Sequence, residues 1–182
     1  MILPRQLLDH PFYQAWTHGT VTRDQLARYS RSYAEFIAAM PSYWARIGQD
    51  FGVDTSALVA EETQHIALWE KWSAELPEAK DFPRMTEVLD TFASFNASEL
   101  LGAVHAFEIQ QPGVARTKKD GLLAHYGFAE ADTVYFDEHL NEQAHIDFGA
   151  NLAATKANPV ELQNGFKRGA EVVYRSLDLF LT

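Results

Sequence analysis

Apolar residues recur three and four positions apart through almost the whole of this chain, and the alternation that marks a strand is nearly absent. A sequence patterned this way buries itself only as packed helices, because each segment carries one apolar stripe that another helix must cover. Thr22 and Gln25 form a capping box for a helix running to about Ile47, with Leu26, Tyr29, Tyr33, Phe36 and Ile37 as its stripe and Pro41 as an expected kink. After a turn at Gly52-Val53-Asp54, a helix from about Thr55 to Glu75 stops at Leu76-Pro77. A segment from Met85 to Phe95 leads to a helix from about Ser98 to Gln111, closed by Pro112-Gly113. Val114 to Tyr126 ends at a Gly127 cap, Glu130 to Lys156 reads as one long helix free of proline, and Asn158-Pro159 opens the last. The expectation is an all-α single domain over residues 1–182, with no repeat and no linker.

Charge narrows the partners. The formal net charge is −10 and Lys and Arg do not cluster, which argues against a nucleic-acid or anionic-membrane surface and for a small-molecule substrate. The chain has no cysteine, so disulfides, thiolate metal sites and a Cys nucleophile are excluded, and any metal is held by nitrogen and oxygen. Met1-Ile2-Leu3-Pro4-Arg5 lacks the regions of a signal peptide, and no apolar run approaches the ~20 residues that span a bilayer; a cytoplasmic protein is expected.

Two segments share one spacing, Glu62-Thr63-Gln64-His65 and Glu142-Gln143-Ala144-His145. On a helix the Glu and His of each emerge about 60° apart and roughly one turn along, so both reach one point beside the helix and suit one metal ion. Glu35 and Glu108 stand in apolar surroundings, where an unpaired carboxylate costs several kcal/mol and calls for a partner, a proton or a metal. The resulting order, one Glu, Glu-x-x-His, one Glu, Glu-x-x-His, is the recipe of di-iron carboxylate helix bundles. Glu35 also reads as an ion-pair partner of a neighbour such as Arg31. On the long helix Glu138 and His139 compete as a further ligand; periodicity favours Glu138 and ligand chemistry favours His139, which is taken here. His105 is a lesser candidate, and His10, His18 and His125 are given no metal role.

The opening His10-Pro11-Phe12-Tyr13-Gln14-Ala15-Trp16, Thr22 through Tyr29, and Tyr33 through Pro41-Ser42-Tyr43 resemble the TenA/PqqC-like group. So do Glu61-Glu62 with His65 and Leu68-Trp69, Phe107-Glu108-Ile109-Gln110-Gln111-Pro112, Lys118/Lys119-Asp120-Gly121-Leu122, and Tyr135-Phe136-Asp137-Glu138-His139. The resemblance spans nearly the whole chain and implies a heme-oxygenase-like bundle of about seven helices, frequently a homodimer, whose function its sites must decide. Within the group the chain is most similar to the branch of the chlamydial death-domain-associating protein and its bacterial relatives, linked to p-aminobenzoate formation. That branch implies a metal set of Glu35, Glu62, His65, Glu108, His139, Glu142 and His145, with Tyr13, Tyr135 and Lys118 taking part in the chemistry. Its long-helix motif reads His-x-x-x-Asp-x-x-His; this chain reads His139-x-x-Glu142-x-x-His145, one residue shorter and with Glu for Asp.

The expected protein is a non-heme oxidase or oxygenase holding a pair of iron ions, or manganese and iron, with O2 as co-substrate. It would oxidise a small organic molecule or one of its own side chains in an apolar cavity near Phe36, Phe107 and Tyr135. Two rivals stand beside it: a metal-free TenA/PqqC-like catalyst using His and Glu as acid and base, and a non-enzymatic protein that binds a small molecule or a partner.

Overall fold

In a computed structural model that describes residues 1–181, all regular structure is helical. The α-helices are α1 (Pro11–Thr17), α2 (Arg23–Phe51), α3 (Ser56–Ala74), α4 (Thr86–Ser94), α5 (Ala97–Glu108), α6 (Gln111–His125), α7 (Val134–Glu138), α8 (Gln143–Thr155) and α9 (Pro159–Ser176). Short 3-10 turns at Leu7–Asp9, Glu130–Asp132, His139–Asn141 and Leu177–Phe180 join or extend them. Among the described residues no helix is long and apolar enough to cross a membrane.

Local chemistry accounts for the boundaries. Thr22 Oγ1 accepts from Gln25 N–H at 3.1 Å while Gln25 Oε1 accepts from Thr22 N–H at 2.9 Å, and α2 then runs through Pro41 without interruption to Gly52 in the left-handed region. Asn96 and Glu99 make a second capping box at the start of α5, and Asn158 caps α9 just ahead of Pro159.

Two helix pairs build the body. α2 packs along α3 through aromatic side chains: Tyr29 and Tyr33 stack 5.1 Å apart, and Tyr33 meets Trp69 at 5.4 Å. α5 and α9 lie side by side running the same way, Glu99 against Gly165 and Ala103 against Gly169. No Cβ fits at Gly102 or Gly165, whose backbones touch the backbone of the facing helix. This slab sets the position of Glu108 at the end of α5.

The expected long helix from Glu130 to Lys156 is instead three pieces. α7 ends at Glu138, a 3-10 turn covers His139–Asn141, and α8 starts at Gln143. His139 Nδ1–H donates to the Tyr135 carbonyl at 2.7 Å, the acceptor an unbroken α-helix gives to the His139 backbone N–H.

Candidate metal centre

Four stretches of chain converge on one buried point. α3 contributes Glu62 and His65, the last turn of α5 contributes Glu108, the 3-10 turn contributes His139, and the start of α8 contributes Glu142 and His145; all six are buried. Donor atoms of Glu62, Glu108 and His145 lie within 4.8 Å of one another. His145 Nδ1 stands 3.1 Å from Glu142 Oε2, 3.7 Å from Glu62 Oε1 and 3.9 Å from Glu108 Oε2. His65 Nδ1 is 3.4 Å from Glu62 Oε2, His139 Nε2 is 3.7 Å from Glu142 Oε1, and the rings of His65 and His139 are 4.2 Å apart.

The break in the long helix is what aligns the second motif. On a continuous α-helix His139, Glu142 and His145 fan out over about 120°. A 3-10 turn has about three residues per turn, so side chains three apart eclipse and His139 comes to the same face as Glu142.

The electrostatics are those of a site short of positive charge. Burial, then the charges of Glu62 and Glu142, push the Glu108 carboxyl well above the usual range; the neighbouring Trp44 indole, which does not reach hydrogen-bond geometry, opposes them. Burial raises Glu142 to about 7, His145 pulling the other way and Glu62 pushing further up. Burial and then the charge of His65 lower His139 to about 3, so its ring is neutral. Because its Nδ1 donates to a carbonyl, the lone pair sits on Nε2, the nitrogen nearer Glu142. Burial pulls His65 down, but its hydrogen bond to Glu62 and the charges of Glu62, Glu142 and Glu61 outweigh that and raise it.

Glu108 Oε1 and both ring nitrogens of His145 are buried without a partner of hydrogen-bond geometry. Each such atom costs about 1–3 kcal/mol unless something occupies the space between them. Three imidazoles and three carboxylates are an N/O donor set suited to iron or manganese, and the orphaned atoms point to cations as the missing partner. The residues fit a bound metal.

Beside this cluster lies a second unusual group. Lys118 is 2% exposed, and its ammonium faces the rings of Tyr33 at 4.8 Å, Tyr29 at 5.2 Å, Tyr13 at 5.3 Å and Trp69 at 5.8 Å. Among the described residues no carboxylate pairs with it, and burial lowers it to about 7. Tyr13 Oη lies 3.1 Å from Tyr29 Oη, burial raising both phenols. Tyr135 bridges the two groups, its ring 4.2 Å from His139 and 4.8 Å from Trp69.

Lys118 is an expense to the fold. The folded value lies below the free lysine value of 10.5, so the stability present above that pH is lost as pH falls toward about 7. Lys118→Met, which keeps the volume and drops the charge, is expected to stabilise the protein by roughly 1–3 kcal/mol at neutral pH. The wild type is expected to rise in melting temperature between pH 7 and 10, and the variant should lose that rise. A lower melting temperature for the variant across that range would mean that the aromatic cage more than offsets the burial cost.

Glu35 is not brought to the cluster. Its carboxylate pairs with Arg84 and accepts the Met85 N–H at 3.0 Å, a different arrangement from the expected metal ligand and from the expected Arg31 pair. Glu138 is exposed while its rival His139 is buried. Phe36 and Phe107 pack edge to face, 5.0 Å apart, as core. Glu61, which from the sequence competes with the adjacent Glu62 as the ligand, reaches His145 Nε2 with Oε2 at 3.1 Å, and Trp44, given no role from the sequence, packs its ring 6.2 Å from the same imidazole. The doubled Glu61-Glu62 was the available signal for the first; nothing local to Trp44 signalled the second.

No family model matches the chain. It is 30% identical to the 4-aminobenzoate synthase of Nitrosomonas europaea over 98% of this chain and 87% of that one. It is also 30% identical to the 4-aminobenzoate synthase of Chlamydia muridarum, over 76% of this chain and 68% of the relative, and as similar to that of Chlamydia trachomatis over 76% and 69%. A crystal structure of a domain of unknown function with a heme oxygenase-like fold from Shewanella denitrificans superposes with a TM-score of 0.75 over 96% of this chain and 85% of that one, at 16% identity, so the fold is heme oxygenase-like.

Proposed function

This chain belongs to the family of heme-oxygenase-like proteins named 4-aminobenzoate synthase, and from that premise we propose that it is an O2-dependent di-metal oxidase that forms 4-aminobenzoate or a close aromatic amine. The observation that carries the reading is the buried convergence of Glu62, Glu108 and His145, with orphaned polar atoms on Glu108 and His145. Glu62, His65, Glu108, His139, Glu142 and His145 would hold the metals, iron or an iron–manganese pair. When bound, the metals supply the redox capacity to activate O2, which these side chains lack.

The protein's own groups do the rest. His139 presents a neutral ring whose direction is fixed by the Tyr135 carbonyl, and Glu142, whose carboxyl burial raises to about 7 in the metal-free protein, gives up its proton as it takes a metal. Phe136, Trp69 and Trp72 pack behind Tyr135 and keep water from the reacting groups. Tyr13 and Lys118 hold a phenol ring beside a primary amine that burial lowers to about 7, so that a substantial share is unprotonated at neutral pH. A ring and an amine are the two parts of an aminobenzoate, so these side chains are the candidates for a substrate drawn from the protein itself, with Tyr135 between them and the metal ligands.

The test combines composition with product. After anaerobic loading with Fe(II), the wild type is expected to hold about two metal ions per chain and Glu142→Ala clearly fewer. On admission of O2, mass spectrometry should find 4-aminobenzoate from the wild type and none from Lys118→Met. Stoichiometric metal in neither protein, with product unaffected by chelation, would leave the metal-free catalyst as the better account.

A further inference from the structure

A cavity of about 720 Å³ opens to solvent between α3 and α7, and His65 of the buried cluster forms part of its wall. Its polar lining is Glu61, Gln64, His65 and Glu138; Ala60 and Ala67 keep it wide, and no Lys or Arg lines it. Two of these residues touch the centre. His65 packs its ring on His139 from the far side of the wall. Glu61 has 53% of its side chain in water, yet its Oε2 is 3.1 Å from Nε2 of His145, a side chain only 2% exposed. Neither nitrogen of that imidazole has a hydrogen-bond partner. Glu62, the next residue, has 7% of its side chain exposed and turns inward. One carboxylate therefore contacts both solvent and a deeply buried imidazole.

We infer that this cavity is the route by which divalent cations reach the metal centre, and that Glu61 hands them on to His145 without remaining as a ligand. The inference rests on the metal-centre reading above. A funnel with carboxylates at Glu61 and Glu138 and no basic side chain attracts cations and repels anions. Moving a divalent ion from water to a buried site is costly unless its hydration shell is replaced by oxygen and nitrogen donors along the way. Glu61 supplies such a donor between the open cavity and His145, and its exposed side chain is free to turn from one to the other. The same charge pattern makes the cavity a poor docking place for an anionic substrate.

The test reads metal uptake and not turnover. Metal-free wild type, Glu61→Gln and Glu138→Lys are mixed with Co2+ alone, following the visible absorption of bound cobalt by stopped flow and counting bound cobalt per chain at saturation. Both variants are expected to fill about tenfold more slowly at low salt. The deficit of Glu138→Lys should shrink as salt screens it, and the final stoichiometry should equal that of the wild type. Equal rates in the three proteins would overturn the inference. So would a lower final stoichiometry in Glu61→Gln, which would make Glu61 a resident ligand. A wild type that takes up no cobalt would instead count against the metal centre itself.

Discussion

Glu108→Gln is expected to raise the melting temperature of the metal-free protein by about 2–4 °C, the shift that roughly 1 kcal/mol produces in a chain of this size, while sharply cutting its capacity for metal. Glu108 is 2% exposed, close to Glu62 and Glu142, and has an oxygen with no hydrogen-bond partner. Its folded value lies above the free value of 4.5, so the stability it contributes is fully present below that pH and is lost as pH rises. Glu142, raised to about 7, acts in the same sense. His139 acts oppositely: a buried imidazole lowered to about 3 loses stability as pH falls below 6.5. The difference between wild type and variant isolates the carboxyl, and it should widen from about pH 4.5 toward 7 and above. Adding metal should reverse the ranking, because the wild type alone gains the full binding energy, with protons released as the carboxyls ionise. Melting curves of both proteins with and without metal decide the matter. A metal-free variant less stable than the wild type would mean that the carboxyl is already satisfied.

The opposite effect, and a larger one, is expected at Gly165. A methyl group there would fall within the Glu99 carbonyl, and backbone on a closely packed neighbour cannot move aside as a side chain can. Gly165→Ala should cost at least about 3 kcal/mol, a fall of roughly 6–12 °C in melting temperature. Because α5 carries Glu108, the same variant should bind metal poorly even where it remains folded. Gly113→Ala serves as the control. Its added methyl would meet only Leu8 Cδ1 at 3.6 Å, so this helical position should gain up to about 1 kcal/mol. Similar losses in the two variants would show that the α5–α9 contact is not as close as described.

Features carried by neighbouring residues could be read from the sequence; those that depend on distant partners could not. The capping box at Thr22 and Gln25, the stop at Leu76-Pro77 and the start at Asn158-Pro159 are local devices and stand where the pattern puts them. The two Glu-x-x-His pairs and Glu108 are likewise local in origin, and the fold gathers them. Glu35 sits among Tyr33, Phe36 and Ile37 and looks buried and unpaired from its neighbours alone; its partners Arg84 and Met85 come from the stretch just before α4. The interruption after Glu138 has no proline or glycine to announce it, since it follows from a side chain of His139 competing for a backbone carbonyl. The close approach of α5 and α9 was written in Gly165 and Gly169, four residues apart, but only the facing Glu99 and Ala103 give that spacing its meaning.

The two sides of the cluster differ in how much change they tolerate over evolution. A residue lost or gained between Tyr135 and His145 is absorbed by exchanging α for 3-10 winding, because that stretch already mixes the two. A residue lost or gained between Asn96 and Glu108 would turn Glu108 by about 100° and slide Gly102 off its seat on α9, with no slack to recover either. Insertions and deletions are therefore expected to be tolerated on the wall that carries His139 and excluded from the interval between Asn96 and Glu108.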